Sequence, residues 1–275
     1  MEVWRQQLRY AGAMIERLSQ ALKAIADERL APYLGARCGF AVDRKAGGEV
    51  VTELDQAIEA DLSSYIMGLY PGAQIIGEES ADAITAAGAE LADGDMWLID
   101  PLDGTGNFVN GSDDFAVMLV RLKDGETVAA WIYYPTSGRM AVAEKGAGAF
   151  LEGEPLQCRP SESDVMDMIG ELHVGHLPDD LKKPILAARD RLPDCRPRFC
   201  AGVTCLGLAK GERDFALYYR TRPWDHAPGT LVVTEAGGRA ARFDGAAYMP
   251  GDGGAGLLIT ADPANWQALR DFLMP

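Results

Sequence analysis

Residues 97–107 read Trp97-Leu98-Ile99-Asp100-Pro101-Leu102-Asp103-Gly104-Thr105-Gly106-Asn107. The apolar run at 97–99 predicts a buried strand that delivers the Asp100 carboxylate at its end. Pro101 has no N–H to donate and is expected to stop the ladder there. Asp103 follows three residues later, and residues 104–107 open a turn. Two carboxylates this close repel each other unless a cation sits between them. Hard oxygen donors suit Mg²⁺, which takes one or two protein carboxylates and keeps positions for water and a substrate phosphate. The amides after Asp103 offer a helix N-terminus, where backbone N–H groups point at an anion. A plainer reading stands beside this one, with Asp100 as a strand-end turn residue and Asp103 as an ordinary N-cap.

Three further segments bear on that choice. Ile75-Ile76-Gly77-Glu78-Glu79-Ser80 is a second short apolar strand ending in acids, of which Glu79 also suits a solvated loop. Arg222-Pro223-Trp224-Asp225-His226-Ala227-Pro228-Gly229 precedes a run that ends Glu235-Ala236-Gly237-Gly238. It reads as a strand end, an N-cap at Asp225, a helix over 228–236 and a Gly-Gly stop, with Pro228 tolerated in the first turn. In Val51-Thr52-Glu53-Leu54-Asp55, Thr52 and Asp55 have the form of a capping box one carbon short, and Leu54, Ala57, Ile58 and Leu62 share a helical face.

Taken in order, these segments resemble the inositol monophosphatase family of Mg²⁺-dependent phosphatases. The carriers are Val-Thr-x-x-Asp at 51–55, Gly-Glu-Glu-Ser at 77–80, Trp-Leu-Ile-Asp-Pro-Leu-Asp-Gly-Thr at 97–105, and Trp-Asp-x-Ala at 224–227 before Glu-Ala-Gly-Gly. Tyr133-Tyr134-Pro135 and the run from Glu144 to Phe150 resemble the family's central strands. The resemblance implies that Glu78, Asp100 and the Leu102 carbonyl hold one metal. It implies that Asp100 bridges to a second, held by Asp103 and Asp225, within a set of two or three Mg²⁺ ions. Thr105, paired with Asp55, would orient a water, Glu78 would share in catalysis, and the amides of Gly104 and Thr105 would receive the phosphate. Elementary chemistry reaches part of this. Phosphate-ester hydrolysis needs positive charge on developing oxyanions and an activated, in-line water, and a metal clamp supplies both.

The chain also departs from the pattern. Gly106 stands where the inositol enzymes carry a second threonine, and Lys45 sits one residue out of step with a family lysine. The stretch from Cys200 to Gly211 reads about one helical turn short. Tyr218 falls where the inositol enzymes place an acid that contacts ring hydroxyls. The metal site therefore transfers, whereas inositol specificity does not.

Composition sets outer bounds. The chain has 275 residues, 48% hydrophobic and 8% aromatic, enough for a full core as one large domain or two. Its net charge of −15 opposes nucleic acid or an anionic membrane as a partner. Bound Mg²⁺ would have to invert that field locally for an anionic substrate. No apolar run reaches the length of a membrane span, and the N-terminus lacks a signal-peptide core, so a cytoplasmic location is expected. Five cysteines, with Cys195, Cys200 and Cys205 spaced by five and no C-x-x-C, read as free thiols rather than a zinc site. His173 and His176 read as surface residues or a polar lining of the substrate mouth. His226, next to Asp225, is a candidate to face the leaving group.

The pattern along the chain predicts helices over 2–31 and 54–70, then strands over 115–122, 128–134, 139–143 and 148–151. Beyond these it predicts a helix over 181–191, a short strand over 198–200, part of a helix over 206–210, and a strand over 215–219. A strand over 256–260 and a helix over 263–274 close the chain. Helices covering mixed sheets give a layered α/β sandwich, in line with the αβαβα architecture that the resemblance implies. A boundary near residue 138 divides it into 1–138, carrying most metal ligands, and 139–275, carrying Asp225 and the substrate-specificity elements. The expected activity is hydrolysis of a small phosphorylated metabolite. Inositol 1-phosphate and other sugar or polyol phosphates, histidinol phosphate and 3′-phosphoadenosine 5′-phosphate all stay open. The alternative is a binding or regulatory protein on a phosphatase scaffold. Family members often form dimers, which makes a homodimer an expectation.

Overall fold

The computed structural model describes residues 2–45, 48–81, 94–160 and 164–275, with side chains from residue 12 onward. The helix Glu2–Leu30 comes first and buries Leu18, Leu22, Ala26 and Leu30 at successive i, i+4 positions along one face. A hairpin of β1 (Val42–Arg44) and β2 (Val50–Thr52) leads into the helix Glu53–Leu69. That helix begins at the capping box read from sequence. Leu54 N donates to Thr52 Oγ1 at 3.2 Å, and Thr52 N donates to Asp55 Oδ2 at 2.9 Å.

The main sheet has seven strands in sequence order: β3 (Gln74–Gly77), β4 (Asp95–Asp103), β5 (Ala116–Lys123), β6 (Glu126–Tyr134), β7 (Arg139–Glu144), β8 (Gly148–Leu151) and β9 (Glu154–Pro155). β3 and β4 are parallel and all later pairs antiparallel. The second sheet contains β10 (Gly170–Leu172), β11 (Phe215–Tyr218), β12 (Arg239–Ala241) and β13 (Leu257–Thr260), in the order β10-β11-β13-β12. Residue 138 lies in the turn between β6 and β7, and the first sheet continues to Pro155 before the chain enters the second at Gly170.

Alternation along the strands assigns the layers. In β5, Val117 and Leu119 pack with Leu22, Ile58, Trp97 and Trp131 beneath the first two helices. Met118 and Val120 pack on the other face with Leu208, Val232 and Val233. Those three belong to the helices Ala201–Ala209 and Pro223–Glu235, which lie between the two sheets. The helices Asp179–Arg189 and Trp266–Leu273 cover the far face of the second sheet through Ile185, Leu269 and Leu273 against Leu217 and Leu258. The result is the five-layer αβαβα sandwich. Among the described residues no helix is long and apolar enough to cross a membrane.

Three local expectations need correction. Pro101 does not stop the ladder. β4 continues through it to Asp103, and a bulge between Asp100 and Asp103 absorbs the missing donor. Residues 198–200 are not a strand, because Phe199 has φ +57° and Cys200 is the N-cap of the helix Ala201–Ala209. The helix expected to open at 228 starts a turn and a half earlier. Pro223 occupies its first turn, Arg222 is the N-cap, and Pro228 lies in the second turn, where its nitrogen cannot bond the Trp224 carbonyl.

Candidate active site

The period of two explains how the acids meet. Met96 and Leu98 of β4 face the middle helical layer, so Asp100, two residues on, points there too. Ile76 of β3 faces the same way, and Glu78 follows it, with Glu78 N bonded to Ile99 O at 3.0 Å. The helix Pro223–Glu235 begins against this edge and brings Asp225 in its first turn. One carboxylate oxygen each from Glu78, Asp100 and Asp225 lie within 4.8 Å of one another. Burial, then the charges of Glu78, Asp103 and Asp225, hold the Asp100 carboxyl well above its usual range. Asp225 is raised in the same way, against an opposing pull from Arg222. Three hard oxygen donors that cannot all ionise without a counter-charge fit a Mg²⁺ site.

Asp103 stands beside this trio in the same cavity, and it also caps a helix, though not the one that follows it in sequence. Its Oδ2 accepts from Gly202 N at 2.7 Å and from Cys200 Sγ at 3.0 Å. It therefore caps the helix Ala201–Ala209, whose own N-cap, Cys200, makes no side-chain cap bond. The helix that follows Asp103 locally, Thr105–Val109, has Gly104 as its N-cap. Burial raises the Asp103 carboxyl to about 6, with these hydrogen bonds opposing it.

Gly104 has φ +83°, and a Cβ there would meet the Asp114 carbonyl at 2.9 Å, so only glycine fits. This turn places Thr105 Oγ1 3.0 Å from Asp55 Oδ1 and 2.8 Å from the Leu102 carbonyl. Burial pushes the Asp55 carboxyl up, while bonds from Thr52 and Thr105 pull it back. Glu78, Asp100, Asp103, Thr105 and Asp225 line one cavity of about 360 Å³, with Gly104 and Leu102 in its wall. Every residue expected to hold metal or phosphate lies in that wall, and Asp55 reaches it through Thr105.

Several pairings around the site are not legible in the sequence. Lys45 Nζ lies 2.9 Å from both Glu78 Oε1 and Glu79 Oε1. Arg222 bonds Glu78 Oε1 at 3.2 Å and Glu49 Oε2 at 2.6 Å, and Arg220 bonds Glu49 Oε1 at 2.6 Å. Burial lifts the Glu79 carboxyl to about 7 despite Lys45. Glu59 passes under Gly77, where a Cβ would meet its carboxyl carbon at 2.0 Å, and accepts from Glu79 N at 2.8 Å. These pairings join residues up to 173 positions apart, and no local spacing signals them.

The other flank of the cleft holds aromatic and imidazole groups. Tyr218 stacks on His173 at 4.3 Å and meets the His226 ring edge-on at 4.5 Å. The Tyr218 hydroxyl and the Nε2 atoms of His173 and His226 are buried, the His173 atom 3.6 Å from Glu171 Oε2. Burial lowers His226 to about 4, so its ring is neutral at pH 7. Phe199 is 67% exposed and adopts the left-handed backbone, which costs a non-glycine residue about 1–3 kcal/mol. All five cysteines are free thiols.

Residues 13–271 match the model of the inositol monophosphatase family. The chain is 31% identical over 205 residues to the fructose-1,6-bisphosphatase/inositol-1-monophosphatase of Thermotoga maritima, covering 74% of this chain and 76% of that one. It is 34% identical over 211 residues to the Nus factor SuhB of Escherichia coli K12, covering 74% and 75%. The solved IMPase of Thermotoga maritima superposes with a TM-score of 0.79 at 25% identity, over 95% of this chain and 96% of that one.

Proposed function

The chain belongs to the inositol monophosphatase family of phosphomonoesterases, and we propose that it hydrolyses a small phosphorylated metabolite with Mg²⁺ at the acidic cluster. The observation that carries this reading is the convergence of Glu78, Asp100 and Asp225 within 4.8 Å beside the Thr105–Asp55 pair. Glu78, Asp100, the Leu102 carbonyl, Asp103 and Asp225 would hold two or three Mg²⁺ ions. Bound there, Mg²⁺ supplies positive charge to the phosphoryl oxygens and lowers the pKa of a water.

The chain's own groups do the positioning. Thr105 has one hydroxyl proton and two acceptors in reach, Asp55 Oδ1 and Leu102 O. With that proton committed, the Thr105 lone pair accepts from the attacking water and fixes its line of approach. Asp55 is the sink to which the water's proton passes through Thr105. The first-turn amides at Gly104 and Thr105 have no intrahelical acceptor and point at the phosphate.

Tyr218 argues against a polyol as the preferred alcohol. A carboxylate accepts several hydroxyl protons, whereas a phenol bonds fewer and in different directions. Inositol 1-phosphate is thus one substrate among several, with other sugar phosphates, histidinol phosphate and 3′-phosphoadenosine 5′-phosphate in the same test. A cytoplasmic homodimer completes the proposal. The test is phosphate release from this panel with Mg²⁺ and with a chelator. Turnover of at least one ester that stops on chelation is expected, and Mg²⁺-independent turnover would overturn the assignment.

A further inference from the structure

Resting on the phosphomonoesterase reading, we infer that Phe199 is a specificity-determining residue, and that the alcohol it selects carries a planar, apolar ring. Three observations support this. Phe199 is a shared wall. It lines the cavity that holds Glu78, Asp100 and Thr105, and also lines an adjoining cavity of about 730 Å³. Leu172, Leu192, Pro193 and Pro197 form much of that second cavity. Its volume is in the range of small-molecule sites, and apolar walls are their usual lining. A phosphate held at Gly104 and Thr105 therefore projects its alcohol past Phe199.

The backbone at Phe199 is held from both sides in a conformation that L side chains rarely adopt, φ +57°. Asn107 Nδ2 donates to the Arg198 carbonyl at 2.7 Å and to the Asp114 carbonyl at 2.7 Å. On the other side Asp103 takes Cys200 Sγ and Gly202 N. These bonds over-determine the segment, so the ring is presented to the cleft although a benzyl group there is exposed to water. Strain that persists because its surroundings fix it is a feature of ligand-contacting positions.

His173 lines the same cavity, with its ring edge-on to Phe199 at 6.0 Å and its Nε2 turned inward, 3.6 Å from Glu171 Oε2. Two aromatic rings beside aliphatic walls favour a flat ring over a polyhydroxylated one. Next to Phe199, a sugar would leave hydroxyls against Leu172, Leu192 and the prolines, with Arg189, Asp194 and Arg196 the polar part of the lining.

The test compares 2-phenylethyl phosphate with ethyl phosphate, both esters of primary alcohols with matched leaving groups, in the presence of Mg²⁺. The wild type should favour the phenyl ester in kcat/KM by roughly tenfold or more. Phe199→Gly, which suits the left-handed backbone and should fold, should bring the ratio close to one. Phe199→Ala should do the same while keeping the β-carbon. A ratio near one in the wild type, as would follow if a second copy of the chain covered the cavity, overturns the inference and leaves the hydrolase reading standing. So does a ratio that survives both substitutions. Absence of Mg²⁺-dependent turnover of either ester overturns the hydrolase reading and this inference with it.

Discussion

On the phosphate side of the cleft, Asp55, Asp103 and Thr105 each engage two or more polar groups. On the alcohol side, Phe199 and His173 line an adjoining cavity rich in apolar side chains, with Tyr218 stacked behind His173. The first region is assembled from β4, its bulge and two helix starts in the core of the sandwich. The second is assembled from the ends of β10 and β11 and a left-handed loop residue. The difference separates chemistry from choice. Groups that must act within a few tenths of an ångström are locked by mutual bonds, whereas the alcohol side offers ring and aliphatic surface for a ligand to pack against.

The largest effect should come from the locked side. Asp100→Asn removes the central carboxylate of the cluster, and turnover at saturating Mg²⁺ should fall by at least about 10²–10³-fold. Retention of most of the wild-type rate would break the comparison at its firm end. Thr105→Ala leaves the backbone amides in place and removes only the hydroxyl. Steady-state kinetics should show kcat lowered by about 10²-fold with little change in KM. An unchanged kcat with a raised KM would make Thr105 a binding group only.

The same crowding sets a pH dependence in metal-free protein. The folded-state pKa values of Asp100, Asp103 and Asp225 lie above those of the unfolded chain. The folded state therefore binds more protons between the two values, and the cluster's contribution to stability is lost as pH rises. For Asp103 the window runs from the ordinary aspartate value of 3.8 up to about 6. In chelator, the melting temperature of the wild type should fall more between pH 4 and pH 7 than that of Asp100→Asn. Equal slopes would show that these carboxylates do not strain the empty site.

The smallest effect belongs to the open side. Inositol 1-phosphate should not exceed every other panel ester in specificity constant by more than about a hundredfold, as each poorly matched hydroxyl costs about 1–3 kcal/mol. A preference for inositol 1-phosphate beyond that over every other ester would mean that Tyr218 does not decide the alcohol.

Legibility in the sequence follows the same divide. Asp100, Leu102, Asp103, Gly104 and Thr105 were readable because one bulged strand and its turn carry them all. The Thr52–Asp55 box was readable because capping is local. The sandwich followed from alternation in strands such as β5 and from i, i+4 faces in the helices. Asp103 as the cap of the helix Ala201–Ala209 was not readable, because its partner Gly202 lies 99 residues away. Arg222 as an N-cap is signalled only by Pro223 at the first helical position, and Asp225 and Pro228 offer a competing start. Phe199 was invisible for a plainer reason. A left-handed position is ordinarily marked by glycine, and here a phenylalanine occupies it, so the stretch read as a strand.

The most direct test of the acidic cluster is Mg²⁺ titration of the purified protein by calorimetry, set against Asp100→Asn at the same pH. Binding to the wild type that the substitution weakens or abolishes is the result this account predicts. Equal affinity and stoichiometry in the two proteins would contradict it.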